Sequence, residues 1–176
     1  MDNKIKNTNS CVNIKVLAFD VFGTVADWRS SIISLAPDLG AYYGISLDWS
    51  SFADAWRAEY QPSMELVRSG KKEFLTLDKL HWNSLKKVLA EFGEPKPPND
   101  LLVGLNKIWD QLMPWPDVVP GLKLLKKHFI LTTLSNGNIS MMVNMAKHSC
   151  LPWDVILGAE ISQCYKPQLQ EQSLLG

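Results

Sequence analysis

A chain of 176 residues, 46% of them apolar, can bury one sizeable core and still carry a large insertion. Eighteen basic and eighteen acidic residues give a formal net charge of zero, so no broad field draws in nucleic acid or an anionic membrane. No apolar run approaches a bilayer span, and residues 1–13 are polar rather than basic-then-apolar; a cytoplasmic protein with neither nucleic acid nor membrane as partner is expected.

The first predicted element is a strand over residues 16–21, Val16-Leu17-Ala18-Phe19-Asp20-Val21, running out into Phe22-Gly23-Thr24. Its apolar run reads as a strand of a helix-covered parallel sheet, buried on both faces. Ligands of such sheets sit outside the carboxyl ends of the strands, where Asp20 falls. Gly23 permits a tight turn, and the Thr24 hydroxyl can hold a carboxylate oxygen in one orientation. Asp20 then suits either of two roles, a nucleophile that forms an ester or a cap of the turn or following helix.

Helical periodicity follows over residues 30–43, 50–69, 74–92 and 99–113, broken at Gly44, Gly70 and Gly93-Glu94-Pro95-Lys96-Pro97-Pro98. Four helices inserted between strands form an expected cap. Arg29, Arg57 and Arg68 lie in or beside this stretch, and composition alone leaves all three as ordinary solvated arginines. After Trp115-Pro116-Asp117 the strand–helix alternation resumes: a helix from Pro120-Gly121 through His128, a strand over residues 129–134, a helix through Lys147 and a short strand Val155-Ile156-Leu157-Gly158. Ser135-Asn136-Gly137 ends the middle strand and either presents donors to the same crevice as Asp20 or caps the next helix. Lys166, stiffened by Pro167, is either a solvated charge or a counter-charge to Asp20 and to an anionic substrate.

Met141, Met142 and Met145 read as a packed helix face. Cys11, Cys150 and Cys164 are odd in number and far apart, fitting free thiols more readily than a cysteine nucleophile. His81, His128 and His148 lack ligand spacing, and no glycine-rich phosphate loop is present.

The segment Phe19-Asp20-Val21-Phe22-Gly23-Thr24-Val25-Ala26-Asp27-Trp28-Arg29 resembles the first motif of the haloacid dehalogenase superfamily, in its type II 2-haloacid dehalogenase branch. Leu134-Ser135-Asn136-Gly137 and Tyr165-Lys166-Pro167 match the second and third motifs in family order, and Ala55-Trp56-Arg57 matches the cap pattern. The resemblance spans residues 14–167 and implies an α/β fold: a Rossmann-like parallel core over 12–29 and 114–176, incomplete at its carboxyl end, and an inserted helical cap over 30–113. It implies hydrolytic dehalogenation of a small 2-haloacid through an ester on Asp20. Arg57 and Asn136 would receive the halide, Thr24, Ser135 and the amides of Val21 and Phe22 would orient the substrate carboxylate, and Lys166 would balance charge. Superfamily phosphatases carry a second aspartate where this chain has Phe22. A phenyl ring cannot protonate a leaving alkoxide, whereas a halide needs no proton, so carbon–halogen cleavage without metal or cofactor is expected.

The family continues beyond its lysine motif into a further strand with an acidic motif, whereas here nine residues follow Pro167. Impaired turnover and an unpaired edge on the first strand are therefore expected, with self-association into a homodimer or binding to a partner through that edge. A magnesium-dependent phosphatase and a non-catalytic remnant are the alternative expectations.

Overall fold

The computed structural model describes residues 14–168; Cys11, the polar segment 1–13, and the outer ends of the expected core at 12–13 and 169–176 lie outside them. Strand β1 (Val16–Phe19) and the two-residue β2 (Ala26–Asp27) lead into helices α1 (Trp28–Tyr42), α2 (Trp49–Ala58), α3 (Tyr60–Arg68), α4 (Leu77–Glu91) and α5 (Asn99–Asn106). A 3-10 turn (Lys107–Asp110) and β3 (Met113–Pro114) return the chain to α6 (Val118–Leu125), β4 (Ile130–Ser135), α7 (Ile139–His148), β5 (Val155–Gly158) and α8 (Ala159–Ser162). The expected α/β class is the one observed.

Strands β1, β4 and β5 form a parallel sheet in the order β1-β4-β5, with Phe19 opposite Thr133 and Ser135 opposite Gly158. This register brings Asp20, Asn136 and the end of β5 to one side of the sheet. Gly158 matters there, because a Cβ would lie 2.2 Å from the Gly137 carbonyl oxygen. Central β4 is almost wholly buried, but Val16 in β1 is 45% exposed, so β1 is not covered on both faces as its apolar run suggests. Among the described residues β1 pairs with β4 alone. An edge strand and a central strand can have the same composition; what separates them is the neighbour.

Helices α2 and α3 replace the single helix expected over 50–69. Pro62 is the cause, since it has no N–H for the Ala58 carbonyl and its ring crowds that carbonyl, which forces the break at Glu59. The last expected helix also stops early, as Met113 before Pro114 is driven to extended backbone and pairs with Asp27. Two-residue β2 and β3 are too short to show a period of two, and the sequence reading misses them. Asp27 caps α1 through the Ser30 N–H at 3.0 Å, and Ser31 Oγ, which donates to the Asp27 carbonyl, accepts from the Met113 N–H at 2.8 Å.

Two residues from the β4–α7 region and α8 organise other helices. The Asn138 side-chain oxygen accepts the Asp78 N–H in the first turn of α4, and Glu160 of α8 accepts the Ile139 N–H at the start of α7, a favourable place for a carboxylate. The inserted helices enclose an aromatic core: Trp109 stacks on His81 with centroids 4.0 Å apart and meets Trp56 edge-on at 5.4 Å, and Phe22 from the β1 turn meets Trp109 edge-on at 5.9 Å. Each fully buried ring of this size contributes about 1.5–3 kcal/mol through area alone, so the Phe22 contact ties the turn carrying Asp20 to the helices.

Candidate active site

Asp20 leaves β1 as its ladder ends, and the backbone then closes a tight loop. Val25 and Ala26 donate to the Val21 carbonyl at 2.9 and 3.0 Å, and Gly23 takes a φ of +91°, a region costly for any residue with a Cβ. The N–H groups of Val21 and Phe22, which follow Asp20 in the chain, find no partner among the described residues. Thr24 Oγ1 donates to Asp20 Oδ2 at 2.9 Å, fixing the carboxylate's rotation. Its proton is thus committed to Asp20 rather than to a substrate carboxylate.

The other carboxylate oxygen belongs to Lys166. Its Nζ donates to Asp20 Oδ1 at 2.6 Å and to the Leu134 carbonyl at 2.8 Å, bridging β1, β4 and the loop after α8. Asn136 is used at both ends: its oxygen accepts the Lys166 N–H at 2.8 Å, and its amide donates to the Tyr60 hydroxyl at 3.1 Å. One amide hydrogen is left over. Despite these bonds the Asp20 side chain is 46% exposed and opens into a cavity of about 330 Å³.

The far wall of that cavity comes from the inserted helices. Arg57, from the last turn of α2, lays its guanidinium over the Tyr60 ring at 3.8 Å and near Trp28 at 5.5 Å. It makes no ion pair among the described residues. Burial lowers its pKa, opposed by Tyr60 and by the negative charge of Asp20, and a group that starts so basic stays cationic. From α3, Tyr60, Gln61 and Arg68 share a face; Arg68 donates to the Lys166 carbonyl at 2.7 Å and to Gln61 at 3.0 Å, and pairs with Glu65. His81 is fully buried, neither ring nitrogen is hydrogen-bonded among the described residues, and burial with the Arg57 charge holds its pKa down at about 3.

Asp20, Phe22, Arg57, Asn136 and Lys166, five of the expected site residues, therefore meet at one cavity. Val21, Thr24 and Ser135 do not line it. The Val21 side chain is buried in the core, leaving only its N–H, while Ser135 is buried with its oxygen accepting the Gly137 N–H at 3.3 Å, a local turn bond rather than a cap of α7, whose N-cap residue is Asn138. Tyr60, Gln61 and Arg68 were missed. Pro62 is the signal that could have found them, because it begins a new helix and so turns its first residues toward the cavity. A second cavity of about 200 Å³ lies apart, between Asp78, Asp110 and Asn138. Among the described residues no three His, Cys, Asp or Glu side chains gather as a metal cluster, and no helix is long and apolar enough to cross a membrane.

No protein-family model matches the chain, and neither does any curated protein. Solved structures do. The crystal structure of the defluorinating L-2-haloacid dehalogenase Rha0230 is 44% identical with a TM-score of 0.89, the match covering 92% of this chain and 67% of that one. The L-2-haloacid dehalogenase PA0810 is 39% identical with a TM-score of 0.88, covering 92% of this chain and 69% of its own. The L-2-haloacid dehalogenase from Xanthobacter autotrophicus with chloropropionic acid covalently bound shares the fold at 21% identity and a TM-score of 0.78, covering 92% of this chain and 63% of that one.

Proposed function

Since this chain belongs to the L-2-haloacid dehalogenases, hydrolases acting on carbon–halide bonds, we propose that it cleaves short 2-haloalkanoic acids through an ester formed on Asp20. The observation that carries the reading is a carboxylate open to a cavity and held by Thr24 and Lys166, sharing that cavity with Arg57, a guanidinium with no ion pair among the described residues. An Asp20 oxygen lone pair attacks C2 of the substrate as the carbon–halogen bond breaks, and the halide departs with the bonding pair. Arg57 and the second amide hydrogen of Asn136 receive it, where a delocalised cation in a half-buried position stabilises developing charge better than water does. The substrate carboxylate takes the unpartnered N–H groups of Val21 and Phe22, and Lys166 offsets the charge of two anions brought together.

Water then adds to the ester carbonyl of Asp20, the bond from that carbon to the substrate oxygen breaks, and the 2-hydroxy acid leaves. Asp20 is the one carboxylate lining the cavity among the described residues, so the water's proton passes to the departing oxygen of the 2-hydroxy acid rather than to a second acid there. Phe22 occupies the wall where a proton donor to an alkoxide would stand, favouring a leaving group that needs none. In this reading residues 30–113 act as the cap that brings Arg57, and residues 12–29 and 114–176 as the core that carries Asp20 and Lys166.

Chloride release from 2-chloropropionate by the purified chain tests the proposal. Release is expected from the parent and not from Asp20→Asn. Equal release from both proteins, or none from either, overturns it.

A further inference from the structure

We propose that Tyr60 is the positioning residue of the leaving-group side, holding both groups that receive the halide; the inference rests on the Asp20 reading. Its ring is the surface on which the Arg57 guanidinium lies, 3.8 Å from the centroid, a cation–π contact in a half-buried place where water competes poorly. Its hydroxyl accepts one amide hydrogen of Asn136 at 3.1 Å, and the Asn136 oxygen is in turn fixed by the Lys166 N–H at 2.8 Å. One side chain therefore sets the cation of the inserted helices against the amide of the β4–α7 turn. Tyr60 is itself buried, at 8% exposure, and begins α3 immediately after the break that Pro62 imposes, so its placement follows from the helix boundary.

The physical consequence is separable by atom. Removing the hydroxyl leaves the Asn136 amide nitrogen without that acceptor, held only through its oxygen on the Lys166 N–H, but leaves the guanidinium seated. Removing the ring releases Arg57 as well, and a long side chain with no ion pair regains rotamer freedom. Neither change touches the amides beside Asp20, so substrate carboxylate binding is preserved while halide departure suffers. The expected signature is a fall in kcat with KM nearly constant.

The test pairs turnover with direct halide binding, read from the broadening of the chloride NMR line by protein. Tyr60→Phe is expected to weaken chloride binding and kcat on 2-chloropropionate by about fivefold, the worth of one neutral hydrogen bond. Tyr60→Leu is expected to weaken both by about thirtyfold, with KM within twofold of the parent in each case. Near-ultraviolet circular dichroism confirms that each variant is folded, and Tyr60→Phe carries the test if Tyr60→Leu is not. Chloride binding unchanged in folded Tyr60→Phe, a parent that does not broaden the chloride line, or a rise in KM at constant kcat would each overturn the inference. The two readings fail separately. If Asp20→Asn releases chloride as the parent does while chloride binding still depends on Tyr60, the nucleophile is wrong and the halide seat stands; the reverse pattern removes Tyr60 alone.

Discussion

The two walls of the cavity are built on opposite plans. On the sheet side, each functional side chain is already held by hydrogen bonds: Asp20 to Thr24 and Lys166, Lys166 to Asp20 and the Leu134 carbonyl, and Asn136 to Tyr60 and the Lys166 amide. On the helix side, Arg57 rests on aromatic faces with no ion pair among the described residues, near a histidine whose ring has no hydrogen bond among them. A fixed carboxylate costs little reorganisation when it attacks, and an unpaired guanidinium keeps its attraction for an anion that exists only as the reaction proceeds. The asymmetry is the arrangement expected of a wall that delivers a nucleophile and a wall that waits for a leaving group.

Breaking the pinned wall has the larger effect. Lys166→Met removes the charge against Asp20 while keeping most of the side-chain volume, and chloride release is expected to fall by at least about a hundredfold. On the waiting wall Arg57→Ala is expected to cost about a hundredfold. Arg57→Lys is expected to recover about tenfold of that loss, because an ammonium restores charge but not the flat contact on Tyr60. Full rescue by lysine would mean that charge alone matters there. Thr24→Val keeps the shape and deletes one hydrogen bond to Asp20; a loss of about fivefold is expected, measured by the same assay.

A further comparison runs through stability. The unfolded chain binds a proton at the His81 ring near pH 6.5, whereas the fold holds that ring neutral down to about 3. His81 therefore contributes stability fully above pH 6.5 and loses it as pH falls toward 3, by about 1.4 kcal/mol per pH unit. His81→Phe keeps the stack on Trp109 and removes the proton site. Urea unfolding at pH 6.5 and pH 5 is expected to show a shallower loss for the variant than for the parent. Parallel losses would mean that the ring finds a partner on protonation.

The pinned wall was the more legible from sequence. Asp20 and Asn136 sit in short motifs at strand ends, where a parallel sheet dictates direction, Lys166 sits in a short motif in the loop after α8, and Arg57 was found by its Ala-Trp-Arg pattern. Tyr60 and Arg68 were hidden in what looked like one long helix, since periodicity survives a break and only Pro62 marks it. The side chains of Ser135 and Val21 are buried away from the cavity, so of Val21 only the backbone N–H is left to serve the site. His81 showed no ligand spacing, and a stacked, unpaired imidazole leaves no trace in sequence. The exposure of β1 was equally invisible, because an apolar run does not say whether a neighbouring strand lies on each side.

The central claim is that Asp20 makes a bond to substrate carbon. Incubating the protein with 2-chloropropionate in water labelled with heavy oxygen and weighing the peptide that contains Asp20 tests it most directly. The expected result is that Asp20 carries either the substrate as an ester or, after hydrolysis, a heavy oxygen in its carboxylate. An unmodified, unlabelled Asp20 alongside released chloride, with the heavy oxygen found only in the product, would mean that water attacks the carbon itself and would contradict the account.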